Sequence, residues 1–269
     1  MTYQLENLFG VKGRVIIVTG GSSGLGCEIA SALVDLGAQV AIIGRTKEKC
    51  DRALEALKKK NPATLGFQLD VTNEKATGEV FETIYKTFGK IDGLVNGAGI
   101  NRIEDLQDFS IKDFTRILEV NLMGTVICCK IAGAYMLKAG SGSIVNISSQ
   151  STYVGKPGYT AYAASKAAVD GFTRALATEW IRKGVKVNSI APGLFVTDIN
   201  RKEIEANPEI FRQRVADIPR GKVGEPSLLV APVIALLTPG TDHMVGQTVS
   251  VDGGTSIGNM KVITFPKKT

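Results

Sequence analysis

The sequence is short of the side chains that hold metals or run thiol chemistry. It has one histidine, His243, and four cysteines, Cys27, Cys50, Cys128 and Cys129. No two of these cysteines form a C-x-x-C pair, and the adjacent Cys128 and Cys129 have poor geometry for a mutual bridge. No metal site is therefore expected, and unpaired thiols fit a reducing, cytoplasmic setting. Met1 to Gly13 lacks an apolar leader-like core, and no apolar run approaches the ~18 residues of a membrane span, so no membrane partner is expected. A basic stripe is missing too. The 32 Lys+Arg exceed the 26 Asp+Glu by six, but the lysines are scattered or sit in short runs such as Lys58-Lys59-Lys60 and Lys267-Lys268, without interleaved aromatics. That pattern speaks against a nucleic-acid partner. Repeats and low-complexity linkers are also lacking, so residues 1–269 are expected to form one domain.

What is present is a rhythm. With 44% hydrophobic and 22% charged residues, apolar material suffices for a large core. Short β-branched runs predict strands at Arg14–Thr19, Gln39–Ile43, Leu65–Leu69, Gly93–Asn96, Ser143–Ser148, Lys186–Ile190 and Thr248–Val251. Helical patterns lie between them, at Gly24–Leu36, Lys47–Lys60, Asn73–Phe88, Ile111–Leu137, Tyr159–Arg182 and Ser227–Leu237. Strands apolar on both faces and alternating with helices imply an α/β doubly wound, Rossmann-like parallel sheet of about seven strands, with helices on both faces. One stretch breaks the rhythm. Asp198 to Lys222 is polar, contains Pro208 and Pro219, and follows a strand end at Pro192-Gly193, so a substrate lid is expected at about 198–222.

Thr19-Gly20-Gly21-Ser22-Ser23-Gly24-Leu25-Gly26 follows the first strand and opens the first long helix. Its glycines permit a tight turn, let backbone approach a pyrophosphate, and let the helix pack closely on the strand. Phosphates there would meet free N–H groups and the positive end of the helix dipole. The same residues also fit the G-x-S-x-G elbow of hydrolases, with Ser22 as nucleophile and His243 as base. That alternative leaves Gly26 unexplained. At the end of the second strand, a site for NAD wants a carboxylate to accept from the ribose 2′-hydroxyl. Gly44-Arg45-Thr46 stands there instead, and Glu48 comes later, on the following helix. A guanidinium beside a small residue suits a 2′-phosphate, so NADP(H) is expected in preference to NAD(H).

Tyr162 and Lys166 lie four residues apart, one helical turn on the same face. A free tyrosine titrates near 10, too high for acid–base work near neutrality. An ammonium about 4 Å away contributes ~4 kcal/mol at an effective dielectric of 20, enough to lower the phenol by units. Ser149, after the fifth strand, can hydrogen-bond the substrate oxygen, and Asn121 can bind backbone or water behind Lys166. Tyr153 and Tyr159 have no lysine one turn on and read as ordinary tyrosines.

With these motifs in place, the chain resembles the short-chain dehydrogenases/reductases over about Leu8 to Gly254. Asp70-Val71 and Asn96-Gly97-Ala98-Gly99 match as well, although the family usually has a second asparagine where Gly97 stands. The resemblance implies a catalytic tetrad of Asn121, Ser149, Tyr162 and Lys166. It implies cofactor contacts from Gly20, Ser22, Ser23, Gly24, Leu25, Gly26, Arg45, Thr46, Asp70, Val71, Asn96, Ala98, Tyr162, Lys166, Pro192, Gly193 and Thr197. It also implies a homotetramer, with the helices from Ile111 and Tyr159 between subunits. Asn101, Arg102, Gln150 and Lys156 are expected to face a small-molecule substrate. Gly99-Ile100-Asn101-Arg102 and Val251-Asp252-Gly253-Gly254 look like the gluconate 5-dehydrogenase-like branch. A keto-sugar acid or polyol is therefore expected, with Arg102 or Lys156 gripping the carboxylate. The alternatives are a 3-oxoacyl carrier-protein reductase and a non-catalytic NADP(H)-binding scaffold.

Overall fold

The computed structural model describes residues 4–197 and 201–258, apart from the side chains of residues 202 and 203. Seven strands form one parallel sheet: β1 (Val15–Thr19), β2 (Gln39–Gly44), β3 (Leu65–Gln68), β4 (Gly93–Asn96), β5 (Gly142–Ile147), β6 (Val185–Pro192) and β7 (Thr248–Val251), in the order 3-2-1-4-5-6-7. The helices are α1 (Leu5–Phe9), α2 (Gly24–Asp35), α3 (Lys47–Lys58), α4 (Glu74–Phe88), α5 (Ile111–Leu118), α6 (Gly124–Ala139), α7 (Thr160–Trp180), α8 (Arg201–Ala206), α9 (Pro208–Ala216) and α10 (Val230–Leu237).

The strand period of two sorts the core into two layers. Ile16 and Val18 of β1 and Val40 and Ile42 of β2 pack with Leu33 of α2, Leu57 of α3 and Val233 of α10. Their neighbours Val15, Ile17, Ala41 and Ile43 face Phe81 of α4, Met136 of α6 and Trp180 of α7. Both faces of the inner strands are thus covered, which is why they read as continuous apolar runs. The sheet order reverses between β1 and β4, and the turns after these two strands carry the glycines. A crevice outside the strand ends at such a switch point is where open α/β sheets bind ligands.

Three features differ from the expected elements. The expected helix 111–137 is interrupted by a π-helical turn, Glu119–Met123, between α5 and α6. The 198–222 stretch holds two helices, α8 and α9; of its residues, 198–200 lie outside the described set. A short N-terminal helix, α1, was not expected. The continuous helical run Ile111–Ala139 is also long and apolar enough, by length and composition, to cross a membrane, although no such run was legible in the sequence. Half of its most apolar window is buried in this fold, where Cys128, Cys129, Ala132 and Met136 pack against the sheet. Residues 259–269 of the expected single domain lie outside the described set.

Candidate active site

The glycine turn is built by sterics. Gly20 (φ +69°) and Gly24 (φ +54°) adopt the left-handed region that side chains avoid. A Cβ on Gly20 would stand 2.5 Å from the Gly97 carbonyl oxygen, and one on Gly26 would stand 2.5 Å from that of Gly20. α2 starts at Gly24 with Ser23 as its N-cap residue, and the Ser23 side chain makes no capping hydrogen bond. The first-turn N–H groups of α2 therefore lie at the crevice, as a pyrophosphate site requires.

Two adjoining clefts open there and share Gly20, Ser23, Gly99, Ile100 and Asn101. The smaller, of ≈ 370 Å³, is lined by Ser22, Arg45, Thr46, Asp70, Val71 and Ala98, all expected cofactor contacts, and also by Lys49. Asp70 is the acid of this cleft, and it is already engaged. Its carboxylate accepts from the Thr72 amide and hydroxyl (3.0 and 2.7 Å) and from Arg116 (2.6 Å). Burial pushes its pKa up, but the bonds from Thr72 and then Arg116 outweigh it and hold the carboxyl below its usual value. The larger cleft, of ≈ 480 Å³, is lined by Gly24, Leu25, Gly26, Pro192, Gly193 and Thr197, by Ser149, Tyr162 and Lys166, and by Asn101, Arg102, Gln150 and Lys156. These residues fit an extended dinucleotide laid across the strand ends.

Within the larger cleft, Ser149 accepts from the amide and hydroxyl of Ser151 (3.2 and 2.9 Å), and its own hydroxyl is hydrogen-bonded to Tyr162. Lys166, one turn along α7, is buried and donates to the Ile147 carbonyl at 2.7 Å. Its ammonium lies 5.8 Å from the Tyr162 ring centroid. The expected acidic phenol is not what this arrangement produces. Burial pushes the Tyr162 pKa up to about 12, opposed by the Ser149 hydrogen bond and reinforced by Tyr159. Burial also pushes Lys166 down to about 8, against the pull of Asp170. With the ammonium turned to a carbonyl, desolvation decides both shifts.

Asn121 lies in the π-helical turn, behind the cleft and fully buried. Its side-chain amide donates to the Ile100 carbonyl and to the Ser165 hydroxyl, both at 3.0 Å, and its Oδ1 accepts from the Ile100 amide at 2.8 Å. It thus splints the loop after β4 to α7. A π-turn adds a residue to one helical turn, and such turns recur at functional sites.

One expected contact is placed elsewhere, and another is already engaged. Asn96 lines neither cleft: its amide donates to Asn146 Oδ1 at 2.9 Å and to Cys129 Sγ at 3.2 Å. Asn146 in turn donates to Thr173 Oγ1 at 2.8 Å, which shares a proton with Ser189 Oγ at 2.9 Å. This buried chain ties β4, β5, α7 and β6 beneath the site. At Gly97, a Cβ would meet the Thr19 carbonyl oxygen at 2.8 Å, so an asparagine has no room there. Arg102 reaches the cleft, but its guanidinium is paired with Asp113 and with Glu104 (2.9 Å) and lies over Phe109. It is not poised to grip a substrate carboxylate. The hydrolase alternative has no geometry: Ser22 follows the C-terminal end of β1, whereas exposed His243 sits beside Asp242, which Lys186 holds at the N-terminal end of β6.

Sequence reasoning missed Lys49, Tyr159 and Arg214. Lys49 follows Arg45 by four residues, a spacing that was legible. Tyr159 lines the larger cleft and meets Tyr162 edge-on, with ring centroids 6.3 Å apart. Arg214 reaches the same cleft from α9 and donates to the Tyr159 hydroxyl at 3.2 Å.

Comparison with known proteins matches residues 14–208 to the family of short chain dehydrogenases. A D-threitol dehydrogenase of Mycolicibacterium smegmatis is 33% identical over 93% of this chain and 95% of its own length. The structure of a gluconate 5-dehydrogenase from Burkholderia cenocepacia, in complex with NADP and tartrate, superposes with a TM-score of 0.89 at 30% identity, over 95% of this chain and all of that one. A xylitol dehydrogenase bound to NAD+ superposes with a TM-score of 0.87 at 26% identity, over 91% of this chain and 99% of that one.

Proposed function

Because this chain belongs to the short-chain dehydrogenase/reductase family, we propose that it is an NADP(H)-dependent oxidoreductase interconverting a carbonyl and a secondary alcohol, on a keto-sugar acid or polyol. The observation carrying this reading is that Ser149, Tyr162 and Lys166 line the same cleft as the glycine turn. A bound dinucleotide supplies or accepts the hydride, which no side chain can do. The chain's own residues handle the oxygen. Ser149, oriented by Ser151, holds the substrate oxygen beside the phenol. In reduction, Tyr162 gives its proton to the nascent alkoxide, a base far stronger than a phenolate. Lys166, charged below about pH 8, then stabilises the phenolate. Asn121 holds the loop after β4 and α7 in register for this transfer.

NADP(H) over NAD(H) rests on Arg45, Thr46 and Lys49 at the smaller cleft, where Asp70 is committed to Arg116 and Thr72. The polyol or sugar-acid class draws on the relatives' substrates and on the polar lining of Asn101, Gln150 and Lys156. The family reading also makes a homotetramer the expected assembly, with exposed Ile111 and Met123 available for packing between subunits.

The test is cofactor absorbance followed with NADPH and NADH against keto-aldonates, ketoses and an acetoacetyl thioester. Turnover of a keto-aldonate or ketose with NADPH is expected. Replacement of Arg45 by Asp should lower NADPH affinity relative to NADH by about 10- to 100-fold. Turnover confined to the thioester would reassign the enzyme as a 3-oxoacyl carrier-protein reductase. Tight NADPH binding without turnover of any substrate would leave a scaffold.

A further inference from the structure

We propose that Ser151 is a positioning residue that sets the direction of the hydrogen bonds at the reacting oxygens: it leaves the Ser149 hydroxyl able to donate there and unable to accept. This deepens the reading above and rests on it. β5 ends at Ile147, and a short 3₁₀ turn, Gln150–Thr152, follows with Ser149 as its N-cap. The Ser149 oxygen accepts from the Ser151 amide at 3.2 Å, a bond that any residue except proline would supply at that position. The Ser151 hydroxyl adds a second bond to the same oxygen at 2.9 Å, and that one needs this side chain. A hydroxyl has two lone pairs and one proton. With both lone pairs filled, Ser149 has only its proton to offer the cleft, which both serines line. Both are buried, so water competes poorly for these bonds.

The direction counts because Tyr162 is the neighbour of that hydroxyl. A Ser149 that only donates leaves the Tyr162 proton free for the substrate oxygen in reduction, and supports the phenolate in alcohol oxidation. Without the Ser151 hydroxyl, one Ser149 lone pair opens and accepts from the phenol. That bond favours the neutral form of Tyr162 and turns its proton away from the substrate. The other charged or titratable groups lining this cleft are Lys166 on α7, Tyr159 at the N-cap of that helix, Lys156 before it, Arg102 after β4 and Arg214 on α9. Asp170, one turn beyond Lys166, acts on that lysine from within α7. Changes at residue 151 leave all of these in place, so a shift in the pH profile reports on the serine pair.

Ser151→Ala, Ser151→Cys and Ser151→Thr separate the hydroxyl from the volume it fills, since a thiol donates only weakly. Oxidation of D-glucitol and D-gluconate by NADP+ is followed across pH, beside the Kd for NADP+. In Ser151→Ala and Ser151→Cys, kcat should fall about 3- to 10-fold, and its rise with pH should move up by about half to one pH unit. KM and NADP+ affinity should change little, and Ser151→Thr should behave like the wild type. An unmoved pH profile in Ser151→Ala would overturn the assignment. A raised KM with kcat unchanged would also overturn it, and would make Ser151 a plain substrate contact. A second readout needs no turnover: the NMR signal of carbon-labelled Tyr162 Cζ, identified by its loss in Tyr162→Phe, is titrated in the NADP+-loaded protein. Its midpoint should rise in the Ala and Cys variants and not in Ser151→Thr; coincident titration in the wild type and Ser151→Ala would overturn the inference. A wild type that oxidises neither compound counts against the proposed function, while this titration still decides the role of Ser151.

Discussion

The two ends of the cleft are made of different material. Beside β1 and β4 the wall is backbone: Gly20, Gly24 and Gly26, the Gly97 carbonyl and the first turn of α2, with no room for a Cβ at Gly20 or Gly26. Beside β5, β6 and α9 the wall is side chains: Ser149, Gln150, Lys156, Tyr162, Lys166 and Arg214. A backbone wall answers to sterics, so it accepts a ligand's phosphates or rejects a substitution outright. A side-chain wall answers to charge and protonation, so it can be tuned by degrees. The first end suits a constant ligand, the second a variable one.

The sharpest break in this comparison is Tyr162→Phe. It should lower kcat by about 10²- to 10⁴-fold while dinucleotide affinity, measured by fluorescence titration, stays within a few-fold. Comparable losses in both would mean that the two ends are not separable. Next is Gly26→Ala, whose new Cβ meets the Gly20 backbone at 2.5 Å. We expect at least a tenfold rise in dinucleotide Kd and a stability loss of roughly 1–3 kcal/mol by thermal melting. An unchanged Kd would show that the turn can relax.

The smallest effect is a pH dependence. Burial sets Lys166 to about 8 and Tyr162 to about 12, so as the pH rises through about 8 the lysine loses its charge while the phenol stays protonated. Reductive kcat/KM should be flat below about pH 8 and fall above it, because a neutral lysine no longer stabilises the phenolate left after proton transfer. Lys166→Arg, permanently charged, should move that fall to higher pH, at a reduced rate. A fall near 8 that persists in this variant would assign it to another group.

Much of the frame is legible along the chain. β4 and β7 run over the expected residues, and the other strands differ from expectation by one or two at their ends, because period-two apolar runs of a sheet covered on both faces are a local signal. The π-turn at Asn121 is not a local signal: it inserts one residue into a stretch whose apolar spacing reads as an unbroken helix. Asn96 looks like a ligand contact because it ends a strand at the crevice. Its partner Asn146 is 50 residues away, and only the pairing of β4 with β5 brings the two amides together. Arg102 looked available for the same reason, since Asp113 reaches it only once the loop after β4 folds back on α5.

The sequence by itself determined the parallel α/β frame, the glycine turn and the one-turn spacing of Tyr162 and Lys166. Each of these is fixed by neighbours within a few residues, through steric and helical periodicity. Tertiary structure alone decided which way charges shift in the cleft, which cations are already spent, and that Tyr159 and Arg214 belong to the site. Desolvation and ion pairing depend on what the rest of the chain places around a group, and that placement comes from segments distant along the backbone.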